Sequence, residues 1–509
     1  MRPAPLHPLL VAAFPVLFLW SQNAGEAAPR EVLPVIVAVV GGAVVVLLVF
    51  ALLLRDAQRG ALVASVIALV TLAYGFVGLA ALAPVVGLAV AVVATVATTA
   101  VAVRLPADRV RSLTGTANLA GVVLVLAALV PAVLAAREGS DASPDPADRA
   151  VAGVADDAPG AALPERPRDI WYIIPDRYGR ADTLAEVFGH DNRPFLSKLE
   201  AGGFDVLEDS VANYPKTAHS LAASLNLSYL DELEDGTDAD AQDNWGPVYR
   251  LLRDHALGRV LTDLGYQYTH LGMWWSPTQT AASADVTLNA DRTSEFQRAF
   301  TDTTALAAGR ELVGAGERDQ RRWKYDHTEF QFDQLDRLAQ VESDRPRFVF
   351  AHLTIPHEPY VFDADGSFVP RSVEASRTRE DNFVRQVRYA NERLGTFVDE
   401  LLAGDEETDP IVIIQADEGP HPAVRTGPSY RWDQAPDEVL QEKLRILNAL
   451  YLPGVEDDEV PETMTPVNTF RFVLSHYFGA DLPPLPDEAY IFPNEDVLYR
   501  FTEVTDRVR

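Results

Sequence analysis

The chain has 509 residues and a formal net charge of −30, from 43 basic and 73 acidic side chains. A length of this order accommodates two or more domains. The strong negative charge argues against nucleic acid as a partner, and the lack of cysteine excludes disulfides and thiolate metal sites.

Charge is divided unequally along the chain. Residues 1–136 contain seven arginines, no lysine and four acidic residues, a net charge of +3, so residues 137–509 carry −33. A region this acidic repels anions. An anionic substrate therefore needs local positive charge, which a bound metal ion would supply.

Residues 1–136 are predicted to form a transmembrane domain of about five helices. Four long segments lack charged residues, and each is close to the roughly 20 residues that a helix needs to cross a bilayer. A shorter segment at residues 8–20 is interpreted as the first span, with a signal-peptide core as the alternative. The four longer segments are residues 32–54, 61–83, 84–103 and 119–136.

Arginines between these spans predict their orientation. Arg55 and Arg59 lie between the second and third spans, and three more arginines lie between the fourth and fifth. The positive-inside rule places both loops in the cytoplasm. We therefore expect a multi-pass protein of the cell membrane, with a cytoplasmic N-terminus, an extracytoplasmic C-terminal domain and the lipid bilayer as a partner.

The rest of the chain is predicted to be a linker followed by one α/β domain. Residues 137–168 are rich in Pro, Ala, Gly and Asp, a composition that buries too little surface to fold, so we expect a disordered linker. From residue 169 to 509, short apolar runs alternate with helical patterns. The predicted strands are 170–174, 265–272, 347–353 and 411–415, and the clearest predicted helices are 194–203, 385–403 and 465–479.

Three predicted strands lead directly into polar residues. Asp176 follows the first, His357 lies between two prolines after the third, and Asp417 and Glu418 follow the fourth. Open α/β sheets bind ligands at the carboxyl ends of their strands, so these side chains should meet in one crevice. Two adjacent carboxylates at a buried strand end favour a metal site, although a turn or helix-capping role is the alternative for Asp176.

Thr217 is a candidate nucleophile at the predicted start of a helix. The free N–H groups and the dipole of a helix N-terminus stabilise an anion there, although capping alone is a simpler role for the same hydroxyl. Lys216 would add positive charge for a substrate. Trp275 is a candidate wall of the crevice, with core packing as the alternative. His352, within its strand, is interpreted as a buried structural side chain.

Together these segments resemble the alkaline phosphatase/sulfatase superfamily, and within it the membrane-anchored sulfatase-like branch of lipoteichoic-acid synthases and phosphoglycerol transferases. The resemblance covers roughly residues 169–480. It implies an alkaline-phosphatase-like domain with a mostly parallel central sheet and helices on both faces. It also implies metal ligands at Asp176, Thr217, Asp417 and Glu418, with Thr217 as nucleophile and His357 as a catalytic and substrate-binding residue.

Two features depart from the pattern of that superfamily. The chain has no cysteine and no Ser-x-Pro-x-Arg near Thr217, which disfavours sulfate-ester hydrolysis through formylglycine. Glu418 stands where the branch has histidine, which makes a metal site harder and more anionic. Mn²⁺ or Mg²⁺ is therefore the expected ion, with Zn²⁺ or Ca²⁺ as alternatives.

The sequence hypothesis is a metalloenzyme that hydrolyses or transfers a phosphoryl or phosphodiester group of an anionic lipid or envelope glycan. Lys216, His357 and Trp275 are its expected substrate contacts. The alternative from another class is a catalytically inactive sulfatase-like protein that binds the cell envelope or acts as a scaffold.

Overall fold

The structure is a computed structural model that describes most of the chain. It divides into two compact units: the N-terminal unit contains residues 1–143 and 293–320, and the C-terminal unit contains residues 144–292 and 321–509. The residues described are 3–23, 27, 29–141, 158–236, 242–290, 293–314, 316–404, 408–424, 426–456 and 459–509.

Five apolar helices begin the N-terminal unit. They are α1 (His7–Gln22), α2 (Pro29–Leu54), α3 (Ala57–Leu72), α4 (Pro84–Arg104) and α5 (Ala107–Asp141). Helices α2 and α4 and the first 24 residues of α5 are long and apolar enough to cross a membrane. Helices α1 and α3 are apolar but have 16 residues each. Each helix corresponds to one of the hydrophobic segments in the sequence.

Helix α3 is shorter than the predicted span at residues 61–83. It ends at Leu72, and the chain turns through Gly78, whose φ of 78° is readily adopted only without a side chain. The second half of the predicted span is therefore not part of α3, because the backbone turns after Leu72.

The predicted linker at residues 137–168 is ordered at both of its ends. Helix α5 continues to Asp141, and the amide of Ala162 donates to the carbonyl oxygen of Phe478 at 2.9 Å. Ala158 and Ala161 pack against the core of the C-terminal unit, which explains this order despite the polar composition. Residues 142–157 lie outside the described residues, and the predicted domain boundaries stay a prediction.

A seven-stranded sheet lies at the centre of the C-terminal unit. Its strands are β1 (Ile170–Pro175), β2 (Asp205–Val206), β3 (Gln267–Leu271), β4 (Val286–Leu288), β5 (Arg347–Leu353), β6 (Ile411–Gln415) and β7 (Asn448–Tyr451). They are arranged in the order β2-β7-β6-β1-β5-β3-β4. Strand β7 is antiparallel to both of its neighbours, whereas β6, β1, β5, β3 and β4 are parallel. Strands β8 (Tyr490–Ile491) and β9 (Thr502–Glu503) form a separate antiparallel pair.

The remaining helices surround this sheet, except for two that pack in the N-terminal unit. They are α6 (Ala181–Phe188), α7 (Arg193–Ala201), α8 (Thr217–Asn226), α9 (Asp231–Gly236), α10 (Gly246–Arg253), α11 (Ala256–Asp263), α12 (Glu295–Asp302), α13 (Ala305–Leu312), α14 (Gly316–Ala339), α15 (Arg371–Glu374), α16 (Arg379–Leu401), α17 (Asp437–Leu444), α18 (Pro466–Phe478) and α19 (Thr505–Val508). Helices α12 and α13 belong to the N-terminal unit, and α14 begins in it.

The complete burial of strand β1 is explained by helices that cover both faces of the sheet. All six of its residues are buried, and successive side chains of a strand point to opposite faces. Trp171 packs against Phe397 of α16 at a ring distance of 5.3 Å, while Tyr172 packs against Phe470 of α18 at 4.9 Å. The predicted α/β class with a mostly parallel central sheet is confirmed.

The side chain of Gln415, at the end of β6, forms hydrogen bonds inside the core whose contribution to stability can be tested. Its buried amide accepts from the Tyr172 hydroxyl at 2.9 Å and donates to Asn448 Oδ1 at 3.1 Å and Thr469 Oγ1 at 2.8 Å. Gln415→Leu leaves these buried groups without a partner, which costs about 1–3 kcal/mol for each such group. We expect a lower urea midpoint for the full chain in detergent. Gln340→Leu, at an exposed glutamine, is the control and should change stability by less than about 0.5 kcal/mol.

Candidate metal centre and active site

The carboxyl ends of three adjacent strands define the candidate site. In the parallel pairing of β1 with β5, Ile174 lies opposite His352, and β6 flanks β1 on its other side. The chain enters Asp176 directly after β1, and the Asp176 amide continues the ladder by donating to the Leu353 carbonyl oxygen at 2.9 Å. Asp417 follows β6 by one residue. Strand pairing therefore brings residues from three distant parts of the sequence to one sheet edge.

Asp176, His352 and Asp417 form a buried cluster at this edge. One ligand atom from each lies within 4.8 Å of the others, and each residue is at most 3% exposed. Asp176 Oδ1, Asp417 Oδ2 and His352 Nε2 have no hydrogen-bond partner within the described part of the chain. Buried polar atoms are normally paired, so three unpaired ligand atoms that converge indicate a cation site.

His352 was missed as a candidate ligand in the sequence. We interpreted it as structural because it lies within a strand, yet it is the second-last residue of β5 and so reaches the same edge as Asp176. Its Nδ1 lies 3.4 Å from the Thr278 hydroxyl, while Nε2 lies 3.6 Å from Asp176 Oδ2. The Thr278 contact on one ring nitrogen leaves the other directed at the carboxylates, as expected for an imidazole ligand.

Glu418 lies outside this three-residue cluster. Its Oε1 is 2.5 Å from Lys443 Nζ and 2.9 Å from Arg177 Nε, and the Glu418 and Lys443 side chains are almost completely buried. Lys443 and Arg177 thus balance the negative charge of Glu418, whereas the sequence predicts that a metal ion would do so. Burial alone would raise the pKa of Glu418, but the charges of Lys443 and Arg177 hold it below its usual range. Its role as a ligand stays a prediction.

Arg177 connects the cluster to its surroundings. Its φ is 66°, a conformation that costs a non-glycine residue about 1–3 kcal/mol and is often found at functional sites. In this conformation its amide donates to Asp417 Oδ1 at 3.2 Å, and its guanidinium reaches Glu418 and Glu358. The Arg177 side chain is 15% exposed, so part of this cation remains accessible.

Thr217 is the first residue of α8, and Lys216 is the N-cap, with no side-chain capping bond. The hydroxyl therefore does not cap the helix. It interacts with the Asp417 carboxylate and counteracts the increase in pKa that burial causes there. Thr217 is partly exposed, whereas Asp417 is buried. The structure thus brings the hydroxyl of Thr217 beside the cluster.

His357 is held over the cluster by its backbone. Its amide donates to the Asp176 carbonyl oxygen at 3.1 Å, and its own carbonyl oxygen accepts from Lys324 Nζ and from Gln386 Nε2, the latter at 3.0 Å. The ring Nδ1 donates a hydrogen bond to the Glu358 carbonyl oxygen. Nδ1 therefore carries the ring proton, and Nε2 carries the lone pair, which points away from this bond. Burial and the Arg177 charge lower the pKa of His357, so the imidazole is neutral at pH 7.

The other two predicted substrate contacts lie nearby but have protein partners. Lys216 Nζ forms a 2.7 Å ion pair with Glu495. The Trp275 ring lies 6.4 Å from the His352 ring and 5.6 Å from that of Tyr249, and it is half-buried. Their assignment as substrate contacts stays a prediction.

The cluster is strongly coupled electrostatically. Burial, together with the charges of Asp176 and Glu418, raises the pKa of Asp417 to about 7. Burial would also raise the pKa of Asp176, but His357, His352 and Arg177 hold it below its usual range. Burial would lower the pKa of His352, yet the Asp176 carboxylate raises it above the ordinary value.

The donor set fits a divalent ion. Two carboxylates and one imidazole are ligands that Mn²⁺ accepts readily; the carboxylates also suit Mg²⁺, and the imidazole suits Zn²⁺. The Thr217 hydroxyl could join Asp176, His352 and Asp417 as a further oxygen donor. The unpaired buried atoms of the three clustered residues are the observation that supports this fit.

Comparison with known proteins identifies a family for this part of the chain. The family model described as Sulfatase matches residues 168–469, which is more than half of the 509 residues. No curated protein matches the chain in sequence.

Several solved structures are similar to this chain at low sequence identity. The C-terminal periplasmic domain of EcEptC from Escherichia coli, in complex with Zn, has 12% identity and a TM-score of 0.44, covering 69% of this chain and 97% of that one. The soluble domain of lipooligosaccharide phosphoethanolamine transferase A from Neisseria meningitidis has 12% identity, a TM-score of 0.38, and coverages of 62% and 90%. An alkaline phosphatase superfamily protein from Vibrio parahaemolyticus has 14% identity, a TM-score of 0.39, and coverages of 65% and 74%.

Metal affinity is expected to depend on pH. An ion must displace the proton held by Asp417, whose pKa is raised to about 7 by burial and by neighbouring carboxylates. Loss of one proton on binding makes the affinity for Mn²⁺ rise at least about tenfold per pH unit up to about pH 7 and level off above it. Titration calorimetry of the full chain at several pH values measures this slope. An affinity independent of pH, or the same in Asp417→Asn, would contradict the assignment.

Gly419 holds the loop after β6 against α17. Its amide donates to the Lys443 carbonyl oxygen at 2.7 Å, and an added Cβ would lie 2.4 Å from the Glu442 carbonyl oxygen. Gly419→Ala must displace backbone, which typically costs about 1–3 kcal/mol, and it should weaken Mn²⁺ binding by moving Asp417. Gly404→Ala is the matched control, because a Cβ there meets nothing within 4 Å. Equal Mn²⁺ affinity and stability in the two variants would refute this role of Gly419.

Proposed function

Since the chain belongs to the sulfatase family, we propose that it is a membrane-anchored metalloenzyme that hydrolyses or transfers a phosphoryl or phosphodiester group. Members of the superfamily are phosphoryl or sulfuryl transferases or hydrolases. The proposal is carried by one observation: the hydroxyl of the partly exposed Thr217 interacts with Asp417 of the buried Asp176–His352–Asp417 cluster. The substrate is an anionic lipid or a cell-envelope glycan, reached from the extracytoplasmic side of the bilayer.

The clustered residues would hold the ion, with Thr217 Oγ1 as an added donor. A divalent ion, when bound, lowers the pKa of a coordinated hydroxyl and compensates charge on phosphoryl oxygens. Mn²⁺ or Mg²⁺ is favoured by the two carboxylates, and Zn²⁺ is compatible with the imidazole. Glu418 contributes indirectly in this proposal, because it fixes Arg177 and Lys443 beside the cluster.

Thr217 is positioned to attack a phosphorus atom. As the first residue of α8 it lies beside backbone N–H groups that have no partner within the helix, and these groups and the helix dipole stabilise phosphoryl oxygens. Asp417, which interacts with this hydroxyl, accepts its proton as the Oγ1–P bond forms and the bond to the leaving oxygen breaks.

His357 and Arg177 provide the other functions of the site. Neutral His357, anchored through Nδ1, presents Nε2 for a hydrogen bond to substrate or for proton exchange with an attacking or leaving oxygen. The exposed part of Arg177 offers a positive charge to an anionic substrate, which the net charge of the chain would otherwise repel.

Hydrolysis and transfer differ only in the acceptor that attacks the phosphorylated threonine. Water gives hydrolysis, and a hydroxyl group of a lipid or sugar gives transfer. Turnover of bis(p-nitrophenyl) phosphate by the full chain, with and without Mn²⁺, tests the chemistry that the two reactions share. Release of nitrophenol that increases when a polyol acceptor is added indicates transfer.

Substitution of Thr217 tests the nucleophile. Thr217→Ala should lower phosphodiesterase turnover by at least about a thousandfold, because it removes the hydroxyl that is proposed to form the ester. Mn²⁺ binding should largely persist through Asp176, His352 and Asp417, and Thr217→Ser should keep measurable turnover because it keeps a hydroxyl.

Thr378→Ala provides the control for helix capping. Thr378 caps α16 through a 3.1 Å bond from the Asp381 amide, so its loss affects stability but not the site. Unchanged turnover in Thr217→Ala would defeat the nucleophile assignment. A wild-type chain that retains no Mn²⁺ after purification would instead support the inactive scaffold.

A further inference from the structure

Residues 293–314, which we call the insert, interrupt the C-terminal unit in sequence. They lie between β4 and α14, inside the stretch that the Sulfatase model covers, yet they pack in the N-terminal unit. The insert consists of α12, begun by a capping box at Ser294, and α13, capped by Thr304. Two well-capped helices indicate a specific element and not an irregular loop.

The insert packs on one end of the apolar helices. Phe296 and Phe300 of α12 are each 5% exposed and share an apolar cluster with Val16 of α1 and Val32 of α2. The amide of Gly75, just after α3, donates to the Thr303 carbonyl oxygen at 2.8 Å. These contacts involve the last part of α1, the start of α2 and the end of α3, which meet at the same end of the helices.

The opposite end of the helices carries the arginines of the two loops that join α2 to α3 and α4 to α5. Arg59, in the first turn of α3, donates to the carbonyl oxygens of Ala102 at 2.6 Å and Leu105 at 2.9 Å, where α4 ends. The remaining arginines of the two predicted cytoplasmic loops flank the same helix ends: Arg55, Arg104, Arg109 and Arg111. The positive-inside rule makes this end cytoplasmic, so the insert lies at the extracytoplasmic end.

An apolar face of the insert remains exposed. Leu306 is 68% exposed and Val313 is 75% exposed, and residues seven apart lie on the same side of a helix. The neighbouring Leu312 is 46% exposed. Helix α13 packs against α4, whose own exposed valines face outward as lipid-facing residues do. Arg310 forms a 2.8 Å ion pair with Asp302, which lowers the cost of a charge beside this face.

We propose that the insert is an interfacial membrane anchor whose Leu306–Val313 face contacts lipid of the extracytoplasmic leaflet. The occupant is lipid because α13, which carries this face, packs against α4 and its outward-facing valines, while α12 packs against α1 and α2. Amphipathic helices of this kind lie in the plane of the interface. The C-terminal unit is thereby tied to the membrane within its own sequence as well as through the segment that follows α5. This inference rests on the membrane location and not on the proposed reaction.

Spin labelling tests the anchor in the full chain, which has no native cysteine to compete for the label. Leu306→Cys and Val313→Cys are each labelled with a nitroxide and placed in nanodiscs of phosphatidylcholine and phosphatidylglycerol. We expect greater collision with O₂ than with the water-soluble Ni(II)EDDA at both positions, corresponding to a depth of about 5–10 Å.

Two matched positions calibrate this measurement. Val93→Cys on α4, with a 66% exposed side chain, should report lipid, and Val341→Cys, a 58% exposed valine of the C-terminal unit, should report water. All four sites are exposed, so the label should not disturb folding. If either Leu306→Cys or Val313→Cys collides with Ni(II)EDDA as strongly as Val341→Cys does, the anchor is refuted.

Discussion

The parallel pairing of β1 with β5 and β6 is the constraint on which the candidate site depends. Because adjacent parallel strands end at one edge of their sheet, Asp176, His352 and Asp417 become neighbours although they lie far apart in sequence. The strands are buried on both faces, so the residues that follow them leave water as well. Backbone hydrogen bonding thereby places carboxylates in an environment that penalises their charge.

Charge compensation at this edge is divided between the protein and the proposed ion. Lys443 from α17 and Arg177 after β1 pair with Glu418, and Arg177 also pairs with Glu358, so these two carboxylates can stay ionised without a metal. Asp417 forms no ion pair with a lysine or arginine among the residues described, and its pKa is raised by burial and by neighbouring carboxylates. A glutamate at position 418 is thus compatible with a metal centre, because its charge is balanced separately.

The long helix α14 joins two features that looked unrelated in the sequence. It begins directly after the insert, and further along it carries Arg321 and Lys324. Arg321 donates to the carbonyl oxygens of Tyr360 and Val369, and Lys324 to those of His357 and Pro359. The loop that presents His357 is therefore held by the helix that follows the insert in sequence, and burial lowers the pKa of Lys324 to about 7.

Local patterns in the sequence were enough to predict the main helices, four strands of the sheet and the candidate chemistry. Uninterrupted apolar runs specified the N-terminal helices and the four main strands, and polar residues directly after strands identified Asp176 and Asp417, because both signals are local and periodic. Which side chains share a cluster depends on strand register and on long-range packing, and neither can be seen in a local pattern. His352 resembled a core residue until strand register placed it beside Asp176. Likewise, only the fold pairs Glu418 with Lys443, 25 residues further along the chain, and the role of Glu418 as a ligand stays a prediction. The packing of the insert was equally hidden, since Phe296 and Phe300 fit any core, and only long-range contacts reveal which one they join.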